Sequence, residues 1–377
     1  MIFQIPKLDG SDEAVLGLIG QQKDRLKLYS DYEQRRWHGS LRRSTMARAI
    51  QGSNSIEGYH ATLDDALAVV EDEPISDERT ETARAIKGYR DALTYICQVA
   101  HDPFFEFSKQ FLKSLHFMMI GFDMSKSPGR WRPGSIFVVD SKSGETVYTA
   151  PDVELVDPLI VELVDMLKSK STDSHLVRAS LAHLNLTMIH PFKDGNGRMA
   201  RALQTLVIAR EGVLHPVFSS IEEWLGENTQ DYYRVLAEVG QGQWSPHNSA
   251  LPWLRFCLKA HYQQAGTLIR RNEEYERLFA KITTIADRYK LNERMHLALF
   301  DAALGFKVTN PRYRTDTNVS ELVASRDLKK LSDLGLLEPV GEKRGRFYHA
   351  AEELRQARNA TRLPRVNADP YEVVRKG

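Results

Sequence analysis

One short stretch, Ile189–Arg201, constrains the fold and the chemistry of this chain more than any other. Its sequence is Ile-His-Pro-Phe-Lys-Asp-Gly-Asn-Gly-Arg-Met-Ala-Arg. Proline lacks an N–H and keeps the residue before it out of the α conformation, so Pro191 should end the apolar helix predicted over residues 174–189. Apolar spacing predicts a second helix from Arg198 onward. The pattern therefore places His190 at the exit of one helix and a Gly-Asn-Gly turn at the entry of the next.

This turn and the helix after it predict an anion site. The backbone N–H groups of Gly195, Asn196 and Gly197 can point in one direction, next to the positive end of the helix dipole. Arg198 and Arg201 are three residues apart and share one side of the first helical turn. Their guanidinium groups are forked donors that suit phosphate oxygens.

The remaining polar residues of the stretch suggest a reaction. Asp194 would repel a phosphate at this turn unless a divalent cation lies between them, and Mg²⁺ bridging a carboxylate and a polyphosphate is the simplest arrangement. His190 could then act as a general base near neutral pH. A purely structural loop is the alternative, but it leaves the coincidence of a base, a metal-type ligand and an anion site unexplained. The chain lacks the P-loop and the His-Glu-x-x-His patterns, which lowers support for those enzyme classes.

The pattern His-Pro-Phe-x-Asp-Gly-Asn-Gly-Arg-x-x-Arg resembles the signature of the Fic family, and every fixed position is filled. The resemblance implies a mainly α-helical Fic-type core that transfers AMP from ATP to a hydroxyl side chain of a target protein, with Mg²⁺ as cofactor. It assigns the following roles: His190 is the base, Asp194 holds Mg²⁺, Gly195, Asn196 and Gly197 cradle phosphates, Arg198 and Arg201 bind the β and γ phosphates, and Phe192 anchors the loop.

A second segment, Ser53-Asn54-Ser55-Ile56-Glu57-Gly58, has spacing typical of a helix end. Ser53 and Glu57 are four residues apart on one helix face, and Gly58 can stop the helix. The segment resembles the inhibitory motif of many Fic proteins, which implies that Glu57 pairs with Arg201 and blocks the γ-phosphate position. A solvated helix face is the alternative. In some relatives the same glutamate also helps to remove AMP from modified proteins.

Two runs rich in β-branched and aromatic residues, 136–139 and 146–149, surround a polar loop that contains Gly144, so they predict a β-hairpin. The hairpin resembles the Fic flap, along which a target segment adds as a strand. Thr146, Val147 and Tyr148 would then position the target hydroxyl. A structural hairpin without a target role is the alternative.

Three further polar or aromatic residues are candidates for the site. Tyr232 matches the position of an aromatic that contacts the nucleotide base in relatives, whereas Gly240 stands where some relatives have asparagine. His183 lies seven residues before His190 on the same helix face, but a core hydrogen bond is the more economical interpretation. His116 has no second metal-type residue at helical spacing, so we expect a core histidine.

Composition limits the class of protein. Hydrophobic residues make up 42% and charged residues 27%, as in ordinary globular proteins. The net charge of +1 argues against attraction of the whole molecule to nucleic acid or anionic membrane. Cys97 and Cys257 cannot form a disulfide framework. The N-terminal residues do not resemble a signal peptide, and no apolar run suits a membrane helix. These features predict a cytoplasmic protein.

The pattern of elements after residue 290 predicts a separate C-terminal domain. Two helices at 293–305 and 319–334, then strands at 336–340 and 347–349 around a basic turn, resemble a winged helix-turn-helix domain. Basic residues there could meet DNA phosphates, although a protein-contact role is the more conservative interpretation. The predicted domains are an N-terminal helical region (1–104) with the inhibitory helix, a Fic core (105–260), a connecting helix (261–290), the winged helix (291–350) and a tail (351–377).

The leading hypothesis is thus an adenylyltransferase autoinhibited by Glu57 that acts on a target protein, with self-modification and a homodimer as further expectations. Removal of AMP by the same site is a second enzymatic hypothesis. A regulator that senses nucleotide and binds DNA through the winged helix is a hypothesis from a different class.

Overall fold

The computed structural model describes residues 1–30, 37–75, 78–139, 144–169, 173–210, 214–342 and 345–376. The chain divides into two compact units. The first contains residues 1–30, 43–266 and 367–377, and the second contains 31–42 and 267–366. None of the helices in the described ranges combines the length and apolar content that a bilayer crossing requires.

The elements with residues in the first unit are almost all helices. They are α1 (Gly10–Ser30), α2 (His38–Ile56), α3 (Leu63–Val70), α4 (Glu81–Val99), α5 (Lys109–Ile120), α6 (Val153–Lys168), α7 (His175–Ile189), α8 (Asn196–Ala209), α9 (Pro216–Ser219), α10 (Glu222–Glu227), α11 (Thr229–Gly240), α12 (Leu251–Arg288) and α17 (Pro370–Lys376). Strands β1 (Phe137–Val139) and β2 (Thr146–Thr149) pair antiparallel, as the sequence predicts. Helices α2 and α12 also contribute residues to the second unit. The mainly α class and the small hairpin are confirmed.

Helices α7 and α8 form the centre of the first unit. Every residue of α8 except Gly197 is buried, including Arg198 and Arg201. A helix that is covered on all sides needs apolar residues all round, and Met199, Leu203 and their neighbours supply them. The two predicted phosphate-binding arginines therefore lie on a rigid, buried element.

The second unit contains α13 (Met295–Leu304), β3 (Val308–Thr309), α14 (Asn310–Thr317), α15 (Glu321–Asp333), β4 (Leu337–Val340), β5 (Phe347–Ala350) and α16 (Glu352–Asn359). Its sheet has the order β3-β5-β4 and is antiparallel throughout. The two predicted helices and two predicted strands are present, and β3 and α14 are additional. Lys343 and Arg344 of the predicted wing lie outside the described residues, and the winged-helix and DNA-binding assignments stay predictions.

The expectation of a tail after residue 350 is wrong in its local structure. Helix α16 follows β5 directly, and α17 packs against α1 in the first unit. Tyr371 donates a hydrogen bond from its hydroxyl to the buried Asp12 carboxylate at 3.0 Å. The high charge of this segment suggested a tail, but these charges form ion pairs such as Lys259–Asp369 at 2.9 Å. Only the fold could provide those partners.

Candidate functional site

His190 lies at the C-cap of α7, in the left-handed conformation with φ 51° and ψ 56°. This conformation turns the chain out of the helix, as Pro191 requires. The Nδ1 atom faces the carbonyl oxygen of Thr187 at 3.3 Å, and burial lowers the pKa of the imidazole. A neutral ring whose Nδ1–H donates to Thr187 leaves the Nε2 lone pair available to accept a proton.

The loop after His190 is held by contacts that the sequence did not predict in detail. The Asn196 side chain accepts a hydrogen bond from Phe192 N and donates one to Phe192 O, both at 2.9 Å. Phe192 is fully buried and stacks on His116 with 3.8 Å between ring centroids. The Asn196 side chain therefore closes the loop from within.

His116 is a buried core histidine, as expected, and it also contacts the loop. Its Nδ1 accepts a hydrogen bond from Gly129 N at 2.8 Å, so its Nε2 carries the proton and donates to Asp194 O at 2.9 Å. Burial lowers the pKa of His116 to about 4, so this tautomer persists at neutral pH. His116 thus fixes the backbone beside the predicted metal ligand.

Arg132 is a second holding residue that sequence reasoning missed. It is buried, and it donates from Nε to His190 O at 2.9 Å and from its backbone N–H to Pro191 O at 2.8 Å. Its Nη1 donates to Gly134 O at 2.6 Å, near the start of the hairpin. The only sequence signal was an arginine within the turn-rich segment before β1.

The Asp194 carboxylate is surrounded by positive charge. Its Oδ2 lies 3.0 Å from Lys126 Nζ and 3.5 Å from Arg198 Nη2, and its Oδ1 accepts from Gly195 N at 2.7 Å. Burial opposes the charge, but Arg198 and Lys126 lower the pKa of Asp194 overall. Among the described residues, no group of three or more metal-ligating side chains could hold an ion by itself. A cation at Asp194 would therefore need oxygen ligands from a bound molecule.

The guanidinium group of Arg198 indicates what that molecule could be. Arg198 is fully buried, and no described residue accepts a hydrogen bond from any of its three guanidinium nitrogens. A buried charge without hydrogen-bond acceptors is costly, so the site fits a ligand that supplies anionic oxygens. The site also lies at the N-terminus of α8, where Gly195 has φ 79°. The donor set therefore suits the phosphates of a nucleotide.

Arg201, one turn further along α8, has partners at and just after the end of α2. It donates from Nε to Ser53 Oγ at 2.7 Å and from Nη2 to Glu57 Oε1 at 2.7 Å and to Ser53 O at 3.0 Å. The Glu57 carboxylate lies so close to Gly197 that a side chain at 197 would collide with it. The structure thus joins the two predicted motifs, and Glu57 occupies the N-terminus of α8.

The end of α2 is held in this position by two features. Gly58 has φ 84°, which lets the chain leave the helix directly after Glu57. Tyr233 donates from its hydroxyl to Ile56 O at 3.0 Å.

Tyr232 is 1% exposed, and its hydroxyl lies 3.1 Å from His183 Nε2. His183 Nδ1 lies 2.5 Å from Gln204 Oε1, so His183 forms core hydrogen bonds as expected. The Tyr232 ring lies under the Arg201 guanidinium at 5.9 Å. A base contact by Tyr232 stays a prediction.

The hairpin lies next to α7. Val138 pairs with Tyr148, and the Tyr148 hydroxyl donates to Met188 O at 2.8 Å. Thr146 and Val147 are exposed, as are Phe137 and Val139 on the facing strand. A Cβ at Gly240 would lie 3.2 Å from Met188 and 3.3 Å from Tyr148, so glycine at this position leaves room for the hairpin contact.

Comparison with known proteins agrees with this geometry. Residues 106–208 match the Fic/DOC family. The chain is 27% identical to "Protein adenylyltransferase Fic" of Nematostella vectensis over 266 residues, which cover 68% of this chain and 56% of that protein. It is 27% identical to "Protein adenylyltransferase fic-1" of Caenorhabditis elegans over 236 residues, 59% of this chain and 44% of that protein. The chain spans about half the length of the curated relatives it matches.

Solved structures show the same fold. A Fic family protein from Desulfovibrio desulfuricans has a TM-score of 0.59 at 21% identity, covering 93% of this chain and 99% of that chain. A fragment of Fic-1 from C. elegans has a TM-score of 0.53 at 23% identity, covering 68% of this chain and 72% of that chain. Likeness at these identities establishes the fold alone. Residues 106–208 thus resemble the Fic/DOC family in sequence, and the chain has the fold of solved Fic family proteins.

Proposed function

We propose that this protein is an adenylyltransferase that moves AMP from ATP to a serine, threonine or tyrosine hydroxyl of a target protein. The observation that carries the proposal is the buried guanidinium of Arg198, which forms no hydrogen bond with the described residues and follows the buried imidazole of His190 in the same loop-and-helix segment. The names of the curated relatives support the same activity.

His190 is the proposed general base. Its Nε2 takes the proton of the target hydroxyl while the hydroxyl oxygen attacks the α phosphorus of ATP. The bond from the α phosphorus to the bridging oxygen breaks, and pyrophosphate leaves with that electron pair. Arg198 and Arg201 donate to the β and γ phosphates, and Gly195, Asn196 and Gly197 line the turn beneath them. Exposed Thr146 and Val147 with Tyr148 offer a strand edge to the target backbone.

Asp194 is the proposed Mg²⁺ ligand, with phosphate oxygens completing the coordination. The ion would neutralise phosphate charge in this site. His116 and Gly195 N hold the Asp194 backbone and carboxylate in place for that role.

Glu57 is the proposed inhibitor. Its carboxylate pairs with Arg201 at 2.7 Å, so the γ phosphate would have to displace it. Ser53 stabilises the inhibited arrangement because its hydroxyl accepts a second hydrogen bond from Arg201.

The test uses ATP labelled at the α phosphate, with Mg²⁺, in cell lysate and with the purified protein alone. We compare wild type, Glu57→Gly and Glu57→Gly/His190→Ala. Label on protein is expected in the Glu57→Gly sample, with a loss of about 10²–10⁴-fold when the base is also removed. Full labelling by the double variant would exclude His190 as the base, and absence of label from every sample would contradict AMP transfer.

Removal of AMP is a second candidate, because the Glu57 carboxylate lies against Gly197 at the same site and could orient a water molecule. Glu57→Gly should then increase transfer and abolish removal from a modified target. A variant that still removes AMP at the wild-type rate would exclude this role for Glu57.

A further inference from the structure

The inhibitory segment continues past Glu57 to a second contact with the nucleotide site. Tyr59 follows Gly58, and its backbone N–H returns to Asn54 O at 3.0 Å, so its position depends on the end of α2. Its ring lies beneath the Arg198 guanidinium, with 4.9 Å from Cζ to the ring centroid. The Tyr59 ring thus covers Arg198, and the Glu57 carboxylate covers Arg201.

The Tyr59 hydroxyl extends the contact to Asp194 through a lysine. Lys126, in a single helical turn at Met124–Lys126, donates from Nζ to the Tyr59 hydroxyl at 2.9 Å and to Glu81 Oε1 at 2.8 Å. The same Nζ lies 3.0 Å from Asp194 Oδ2. Tyr59 also donates to Glu81 Oε1 at 2.9 Å, which closes the network.

The ammonium group has no spare donor in this arrangement. Lysine carries three N–H donors, and Tyr59, Glu81 and Asp194 account for three oxygens. Its side chain is 19% exposed and that of Asp194 is 33% exposed, so solvent screens the pair only in part. Lysine is an ammonium at neutral pH, so the contact with Asp194 is an ion pair.

We propose that Tyr59 and Lys126 form a second inhibitory contact, in which the Lys126 ammonium competes with the divalent cation for Asp194 and Tyr59 couples it to the inhibitory segment. The proposal rests on the proposed function, since it concerns binding of ATP and Mg²⁺ at this site. In it, Glu57 covers Arg201, Tyr59 covers Arg198, and Lys126 neutralises Asp194. Binding of ATP and Mg²⁺ then requires two exchanges. The metal ion replaces the Lys126 ammonium at Asp194, and a phosphate replaces the Glu57 carboxylate at Arg201.

The experiment measures ATP binding by calorimetry over a series of Mg²⁺ concentrations, in a His190→Ala parent that removes turnover. Lys126→Met should lower the Mg²⁺ concentration needed for half-maximal ATP binding by about threefold to tenfold, because a competing charge is lost. Tyr59→Phe keeps the ring but loses the hydroxyl, so it should lower that concentration by a smaller factor. Tyr59→Leu should also increase ATP affinity at saturating Mg²⁺, because it uncovers Arg198.

The control is Lys109→Met, which removes another lysine–aspartate pair, Lys109–Asp157 at 2.8 Å, that does not include Asp194. It should leave the Mg²⁺ requirement unchanged, and thermal unfolding verifies that each variant folds. An unchanged or higher Mg²⁺ requirement in Lys126→Met, or weaker ATP binding at saturating Mg²⁺, overturns the second contact and leaves the proposed function intact. Failure of every variant to bind ATP, Glu57→Gly included, overturns both.

Discussion

Arg198 and Arg201 lie one turn apart on the same helix and are both fully buried, yet their surroundings differ. Arg201 has as hydrogen-bond acceptors a hydroxyl and a carbonyl oxygen of Ser53 in α2 and the carboxylate of Glu57 just after α2. Arg198 has the face of Tyr59 and the more distant Asp194, and no described acceptor within hydrogen-bond reach. The protein thus supplies acceptors to two of the three guanidinium nitrogens of Arg201, and the described residues supply none to Arg198. In the proposed function, the carboxylate of Glu57 therefore stands at the arginine assigned to the γ phosphate, and the ring of Tyr59 stands at the other arginine.

The largest expected effect on stability comes from removing Arg201, and the removal of Arg198 provides the comparison. Arg201→Met should lower the free energy of unfolding by about 3–5 kcal/mol, because it leaves the Glu57 carboxylate without its buried partner. Arg198→Met should change the same quantity by less than about 1 kcal/mol, because its guanidinium forms no hydrogen bond with the described residues and Asp194 keeps its ion pair with Lys126. Chemical denaturation of both variants measures the difference. Equal losses of stability would show that the surroundings of the two arginines are equivalent.

The close approach of α2 to α10 offers a way to displace Glu57 from Arg201 without changing a charged residue. A Cβ at Gly52 would lie 2.9 Å from the carbonyl carbon of Glu222, so Gly52→Ala must move α2. We expect a loss of about 1–3 kcal/mol in the free energy of unfolding and higher basal AMP transfer, because Glu57 moves away from Arg201.

Gly17→Ala in α1 is the matched control, since nothing lies within 4 Å of a Cβ there. It should stabilise the protein by up to about 1 kcal/mol and leave transfer unchanged. A Gly52→Ala variant with wild-type stability and basal transfer would show that the helix contact does not set the position of Glu57.

The pH dependence of AMP transfer distinguishes the contribution of His190 from that of the two arginines. The neutral imidazole of His190 accepts the proton, and burial lowers its pKa below the ordinary 6.5. Transfer by Glu57→Gly should therefore persist at pH 6.5 and fall about tenfold per pH unit once the pH drops below that lowered pKa. Arginines stay charged over this range, so they contribute no slope. A rate that increases on acidification would contradict the assignment of His190 as the base.

The smallest effect is expected at the hydrogen bond between Tyr233 and Ile56. Tyr233→Phe removes a 3.0 Å contact that holds the last turn of α2. The loss should be about 0.5–1.5 kcal/mol in stability, with a modest rise in basal transfer through a more mobile Glu57. Thermal unfolding and the labelling assay measure both. Lower transfer would instead indicate that the hydroxyl contributes to the active arrangement.

Local features of the site could be predicted from the sequence because they depend on neighbouring residues. Pro191 ends α7, Gly58 lets the chain turn away from the end of α2, and alternating β-branched residues form the hairpin, each for reasons that act within a few residues. The same local rules failed in the last part of the chain, where charge suggested a tail and the structure has α16 and α17. Charged residues there are paired by partners far away in sequence, as with Lys259 and Asp369.

By itself, the sequence determined which groups are available: a histidine at a helix exit, a carboxylate, a glycine-rich turn and two arginines. Only the tertiary structure decided how they are paired. Lys126 reaches Asp194 across 68 residues of chain, and Glu57 reaches Arg201 across 144 residues, a separation that the motif spacing does not encode. Arg132, His116 and Tyr59 carry no motif, so their contacts with the loop and with Arg198 became visible only in the fold. The physical reason is that burial and charge pairing depend on distances through space, whereas helix ends and turns depend on distances along the chain.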